Sequence, residues 1–336
     1  MTDQNGYDPG VGLDVGTGGI VASRHKGKKI FSKRVRNAFI DLPLDNKRML
    51  KLSKTSFLEH SGKLIVLGDE ALETANLFNR EARRPMSGGL MSAGELDAQE
   101  IIGLMLKSIL QEPKIPNEPC YYSVPAPAID VDGSNIIYHE KVLGKILEEL
   151  GYKPKAINES LAIVFSECPN ENFSGVGISF GAGMTNVCLA YNAMSALEFS
   201  LGRCGDWVDI GAASAIGSTA AKICAIKENH LDMMNPKNRE QEAVVFYLQN
   251  LIDYVIKNII DHFSKAKQEV MVPKPVPIIV SGGTSKSIGF LEKFKEVFKT
   301  YESRFPIQIS EIRPASDPLA AVSTGLLLLA QEDDEE

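Results

Sequence analysis

The chain has 336 residues, 44% of them hydrophobic, and a formal net charge of −7. That length and apolar content fit two packed domains and exclude global disorder, while the acidic balance excludes whole-chain attraction to nucleic acid or to an anionic membrane. Five cysteines, an odd number with no CxxC pair, exclude a zinc ribbon or a disulfide framework and fit a reducing, cytoplasmic setting.

The polar opening, MTDQNGYDPG, does not read as a signal peptide. Residues 10–19, GVGLDVGTGG, read as a strand entering a glycine turn. IVASRH and KIFSKRV follow as a second and third strand about a KGK turn. The basic run from Arg24 to Asn37 crosses these two strands. It reads as a solvated hairpin face rather than as a lipid or acidic-partner surface. Beyond it the spacing predicts a helix near 95–110, the strand PCYYSVPA, the helix HEKVLGKILEEL with its stripe Val142, Leu143, Ile146, Leu147 and Leu150, the strand KAI, and a helix from Leu161.

The second half repeats the first. GVGISFGAGM at 175–184 aligns with GVGLDVGTGG glycine for glycine, at Gly10/Gly175, Gly12/Gly177, Gly16/Gly181 and Gly18/Gly183. TNVCLAY and MSALEFSL read as the next two strands, about a turn at Asn192. Then come a long helix near 241–265, the strand PVPIIVS, the helix GFLEKFKEVF, the strand IQISEI and a helix from Leu319. Trp207 and Cys188 read as packing residues, and Pro273, Pro275 and Pro277 as a rigid entry to a strand. The final apolar run, Gly325 to Ala330, is far shorter than the roughly 20 residues of a membrane span, and QEDDEE reads as a solvated acidic tail.

Two βββαβαβα units follow from this, each with a glycine hairpin at one end of a mixed sheet. Facing hairpins would grip a polyphosphate between them through backbone N–H groups. A third glycine element, Gly282-Gly283-Thr284, follows a buried strand and precedes a helix, where bare backbone can lie against a ligand.

Five segments in order, GLDVGTGG, AINESLA, GISFGAGMTNV, VSGGTSKSIG and SDPLAAV, resemble the motifs of the actin/DnaK-type chaperone/sugar-kinase ATPase superfamily across nearly the whole chain. LIVLGDEALETA and GRCGDWVDIGAASAIGSTAAKI make the likeness greatest to bacterial actin-like proteins of the MreB and MamK kind. The resemblance implies an α/β fold of two duplicated actin-like domains, each a mixed five-stranded sheet flanked by helices, with a nucleotide cleft between them. It implies domain I over 1–156 with a small outer subdomain near 33–80. Domain II would span 157–330 with a reduced outer subdomain near 216–242, and a helix near 317–330 would cross back towards domain I.

The resemblance further implies ATP or ADP with Mg²⁺ as cofactors. Asp14 would organise the metal's water shell, and Glu159 would stand near the attacking water. Gly16, Thr17, Gly18, Gly181, Ala182, Gly183 and Met184 would line the phosphates. Asp206 would reach the ribose region, and Lys222, Gly282, Gly283 and Thr284 would surround ribose and adenine. The implied protein is a bacterial or archaeal cytoskeletal filament, a head-to-tail homopolymer with a possible protein adaptor, in the cytoplasm. Neither nucleic acid nor direct membrane binding is expected. A non-polymerising adaptor of the FtsA or PilM kind, or a small-molecule kinase, are the alternatives.

One departure stands out. Ser179 occupies the position of a usual aspartate, and Asn186 that of a common second acid. A missing positioning group of this sort costs roughly 10²–10³ in rate. The expectation is retained binding with slow hydrolysis, and Ser179→Asp should raise phosphate release. Asp206 taking over the role is the alternative.

Overall fold

The structure, a computed structural model, describes residues 6–133, 135–229, 231–266 and 272–332. The first five residues and the acidic 333–336 lie outside the described residues.

The first hairpin is β1 (Val11–Val15) with β2 (Gly19–Lys26), and β3 (Lys29–Arg36) extends it antiparallel. The chain then builds a small outer layer: β4 (Phe39–Pro43), α1 (Lys47–Leu52), β5 (Leu58–His60), β6 (Lys63–Leu67) and α2 (Asp69–Leu77). Here β4, β6 and β5 form a three-stranded sheet over a separate core of Ile40, Leu42, Leu50, Leu64 and Val66. A two-residue hairpin, β7 (Met86–Ser87) and β8 (Leu90–Met91), returns the chain to α3 (Ala98–Leu110), β9 (Glu118–Val124), α4 (Ile136–Glu149) and β10 (Tyr152–Asn158). The first main sheet has the order β10-β9-β1-β2-β3, with β9 parallel to both β1 and β10.

After α5 (Glu159–Glu167) the plan repeats with β11 (Gly175–Phe180), β12 (Thr185–Tyr191) and β13 (Met194–Leu201). In place of the outer sheet there are two helices, α6 (Gly205–Ile216) and α7 (Ala220–Asn229). Then follow α8 (Arg239–Ala266), β14 (Val276–Ser281), α9 (Phe290–Tyr301), β15 (Ile309–Pro314) and α10 (Ala321–Glu332). The second sheet, β13-β12-β11-β14-β15, has the strand order of the first. The expected duplication is therefore a duplication of topology. Among the described residues, α8 alone is long and apolar enough to cross a membrane. Its stripe from Val244 through Leu248, Leu251 and Val255 to Ile259 is wholly buried in the second lobe's core, so packing accounts for its composition.

The lobes are joined by α5 and α10. Ala162, Ile163 and Val164 of α5 and Ala321, Val322 and Leu326 of α10 share a core with Tyr121 of the first sheet and Cys188 and Ile279 of the second. Glycine makes this layer thin. A Cβ on Gly12 would lie 2.9 Å from the Leu327 Cα, and one on Gly325 would lie 2.7 Å from the Ala162 carbonyl carbon. Backbone therefore rests on backbone on both sides of α10. A buried Arg24–Glu118 ion pair at 2.5 Å ties β2 to β9, and Glu118 also accepts from the Gly10 and Lys114 backbone N–H groups. The basic run is thus not one solvated face: Arg24 is 8% exposed, while the lysines around the β2–β3 turn point to solvent.

Candidate functional site

The two glycine hairpins meet tip to tip between the lobes. Each is closed by its own turn bond, from Gly16 N–H to the Gly19 carbonyl and from Gly181 N–H to the Met184 carbonyl, both 3.0 Å. Thr17 packs on Gly183, where a Cβ would lie 2.8 Å from the Thr17 Cβ, and Gly18 faces Ala182. The Gly89 N–H donates to Thr17 Oγ1 at 3.0 Å, so the β7–β8 turn also reaches this point. The third glycine element joins the second hairpin: Gly205 N–H and Thr284 Oγ1 both donate to the Gly181 carbonyl, at 3.0 and 3.1 Å. Gly282 holds φ +93°, and a side chain there would run into the Phe180 backbone.

One cleft results. From the first hairpin it is lined by Asp14, Gly16, Thr17 and Gly18, and from the second by Gly181, Ala182, Gly183 and Met184. Glu159 stands at the start of α5, Asp206 in the first turn of α6, and Gly282, Gly283 and Thr284 close the far side. Lys222 is the exception among the anticipated residues. Its ammonium pairs with Glu240 at 2.6 Å and faces a separate surface hollow with Gly217 and Arg239. Lys227 takes the cleft side of α7 instead, since five residues at about 100° each turn a side chain some 140° around the helix. It is 8% exposed and donates to Asp209 at 2.7 Å and to the Gly205 carbonyl at 3.1 Å.

The floor carries two carboxylates. Asp14 accepts from Ser123 Oγ at 2.8 Å, and Ser123 in turn accepts from the Val15 N–H at 2.9 Å. Glu159 is braced on both oxygens by the second hairpin: Ser179 Oγ donates to Oε1 at 2.5 Å and Asn186 Nδ2 to Oε2 at 2.8 Å. Ser200 Oγ donates to Asn186 Oδ1, which fixes the amide with its nitrogen towards the glutamate. Burial pushes the Glu159 carboxyl up to about 8, helped by the Asp14 charge and opposed by the Ser179 hydroxyl. Burial likewise pushes Asp14 up to about 6, against the Ser123 hydroxyl and the Arg34 charge. Two half-buried carboxylates on one floor resist being charged together, so the charged pair is disfavoured.

The walls carry charges that sequence reasoning missed. Arg36 of β3 donates to Asp69 of its own lobe at 2.9 Å and to Glu228 of the opposite lobe at 2.8 Å. Arg84 donates from one guanidinium nitrogen to both Asp206 oxygens at 2.9 Å, again across the cleft. Arg34 lies over Gly19. The period-two spacing of Arg34 and Arg36 on a strand was the available signal for two of these. Arg84 and Asp206 are 122 positions apart and carried none.

These residues fit a nucleotide and its cation. Oxygen donors of Asp14 and Glu159 suit a hard ion such as Mg²⁺, which keeps its waters and needs only one or two carboxylates. No cluster of three or more potential metal ligands exists among the described residues.

A duplicated mixed-sheet fold with facing glycine hairpins across a polar cleft is the actin-like architecture, and solved structures bear this out. A MamK double helical filament is 20% identical, with 96% of this chain and 98% of that one covered and a TM-score of 0.71. MreB5 of Spiroplasma citri bound to AMPPNP is 15% identical, with 97% of each chain covered and a TM-score of 0.69. EutJ of Carboxydothermus hydrogenoformans, an ethanolamine utilization protein, is 13% identical over 96% of this chain and 90% of that one, with a TM-score of 0.54. Likeness at these identities is likeness of fold. No curated protein sequence matches the chain. The chain belongs to the Volactin family, whose model matches residues 10–330.

Proposed function

We propose that this chain is an actin-like cytoskeletal ATPase of the cytoplasm, which binds ATP with Mg²⁺ in the cleft and assembles head to tail into filaments. The meeting of the two glycine hairpins above the Asp14–Glu159 floor carries the reading. Filament formation by a MamK of the same fold, and AMPPNP binding by an MreB5, lend it support. Domain I, over 1–156, and domain II, over 157–330, are the two bodies whose angle the nucleotide would set. Head-to-tail contacts that do not close a ring give filaments, and a change of interdomain angle then governs assembly.

Bound Mg²⁺-ATP would supply a metal-polarised γ-phosphoryl group, with ADP as the leaving group. The chain's part is positioning. Asp14, oriented by Ser123, would hold the metal through its waters, and the hairpin N–H groups would hold phosphate oxygens. Glu159, steadied by Ser179 and Asn186, would orient water and take up its proton once a bound cation has displaced the proton that burial keeps on it. Ser179 and Asn186 spend their hydrogen bonds on Glu159 and bring no charge of their own, so hydrolysis is slow.

Sedimentation with and without ATP and Mg²⁺, read with negative-stain microscopy and phosphate release, tests this. Filaments that need the nucleotide uphold it. A protein that binds ATP but stays monomeric at high concentration favours an adaptor, and ATP consumption only with a sugar or acid present favours a kinase.

A further inference from the structure

The cleft has a charge problem that its hairpins do not solve. A triphosphate brings several negative charges, and neither glycine turn contains a lysine or an arginine. Five carboxylates, Asp14, Glu159, Asp206, Asp209 and Glu228, already line the space. The cations that face them are Arg34, Arg36, Arg84 and Lys227. Lys227 is buried and committed to Asp209 and the Gly205 carbonyl. Arg36 is held from both sides by Asp69 and Glu228. Arg34 is exposed at the edge of the sheet.

Arg84 is placed differently. Among the described residues its one carboxylate partner is Asp206, and the Asp206 N–H donates to the Ala182 carbonyl at 2.8 Å, so the pair sits at the level of the second hairpin's tip. Both side chains are about one-third exposed. An ion pair that wet contributes little and is readily given up. It also stands in the way. The cavity between the walls measures about 120 Å³, whereas small-molecule pockets run to roughly 300–1,000 Å³. Filling the cleft therefore parts the walls, and a pair that bridges them must break.

Resting on the nucleotide reading above, we propose that Arg84 is a phosphate-binding residue that exchanges Asp206 for the nucleotide's phosphate oxygens. The first lobe thereby supplies the charge that the second hairpin lacks. A guanidinium suits this role, because its planar fork matches phosphate oxygens and it stays charged at any working pH. The exchange also makes closure depend on the ligand, because the same side chain holds the lobes together through Asp206 in one state and through phosphate in the other.

Titration calorimetry of ATP and of adenosine into the wild type, Arg84→Gln and Arg84→Lys tests the assignment. Arg84→Gln loses roughly tenfold or more in ATP affinity, the scale of a hydrogen bond to a charged group. Its adenosine affinity stays at or above the wild-type value, and Arg84→Lys falls between for ATP. A residue serving only as a clasp predicts the opposite sign: both variants would bind ATP as well as the wild type or better, since opening becomes easier, and that result overturns the proposal. Wild type that binds ATP beside an unchanged Arg84→Gln sinks the assignment alone; wild type that binds neither ligand sinks the nucleotide reading with it. Unchanged melting temperatures of both variants establish that they are folded.

Discussion

Gly325→Ala and Gly103→Ala are the same substitution in the middle of two helices, and the structure gives them opposite signs. In α3, the atom nearest to a new Cβ on Gly103 is a methyl of Ile146 at 3.8 Å, an ordinary contact. Alanine there gains helix propensity of about 0.8–1 kcal/mol and loses nothing. In α10, a Cβ on Gly325 overlaps the Ala162 carbonyl oxygen and lies 2.7 Å from its carbon, where ordinary contact begins at 3.4 Å. Relieving the contact with the carbon alone takes 0.7 Å and the nearer oxygen demands more, so α10 and α5 must separate by well over 0.7 Å, and no rotamer can relieve a clash with backbone. Nor can α10 back away, because its Leu327 backbone already rests on Gly12 of β1. Overpacking costs roughly 1–3 kcal/mol where side chains can adjust, so the upper end applies here, and the propensity gain offsets only part of it. An unfolding entropy of about 2.1 cal/mol/K per residue gives roughly 1.4 °C per kcal/mol for 336 residues, so Gly325→Ala melts about 3 °C lower and Gly103→Ala about 1 °C higher. Because Glu159 opens α5, Gly325→Ala should also slow the phosphate release we propose, while Gly103→Ala leaves it alone. Thermal unfolding followed by circular dichroism, with phosphate release on the same samples, measures both. A Gly325→Ala protein as stable as the wild type would refute the claim that backbone contact joins the lobes.

Three further outcomes follow from the floor and the first lobe. Glu159 has its folded pKa raised from 4.5 to about 8, so the folded state binds the extra proton across that window, and its contribution to stability is full below 4.5 and lost as pH rises through about 8. The nucleotide-free melting temperature therefore falls from pH 5 to pH 9, and falls less in Glu159→Gln; parallel curves for the two proteins would rule the shift out. Ser179→Asp exchanges a donor to Glu159 for a third carboxylate. It should melt lower without nucleotide above pH 5, recover with ATP and Mg²⁺, and release phosphate roughly 10²–10³ faster, as a coupled phosphate assay would register. Glu118→Ala strands Arg24 in the first lobe's interior and costs about 3–5 kcal/mol, visible as a large drop in the urea midpoint, whereas a surface pair such as Lys145–Glu149 can be cut with little change.

The plan of the two sheets was legible because it is written locally and twice. Hydrophobic alternation, glycine turns and helical stripes each depend on near neighbours, so β11 and β12 could be read from β1 and β2, and α8 from its own stripe. The outer sheet was harder, since β6 is short and takes its register from β4, twenty or more residues away, and β5 pairs only with β6. The charged walls were the least legible. Whether Lys222 or Lys227 enters the cleft depends on how α7 is rotated against its neighbours, and composition does not set that angle. Arg36 and Glu228 are 192 positions apart, and Arg84 lies in an irregular stretch with no period of its own. Only tertiary packing brings such residues together.

The duplication makes the departure at Ser179 intelligible as a division of labour within one sheet design. In the first hairpin Asp14 lies opposite Val21 across the strand pair; in the second, Ser179 lies opposite Asn186. Cross-strand partners present their side chains to one face. The first copy therefore offers the floor a single charge beside an apolar neighbour, and the second offers it two neutral hydrogen-bonding groups. Both of these turn to Glu159, which belongs to neither hairpin but to the helix that joins the lobes. An acid at 179 would compete with Glu159 for the same cation and repel it in the cation's absence. A serine and an asparagine instead tie it to the second hairpin by two hydrogen bonds. The arrangement has one carboxylate fewer and a glutamate whose position depends on the second lobe, so that any rotation of that lobe against α5 is felt at the group we propose to handle water.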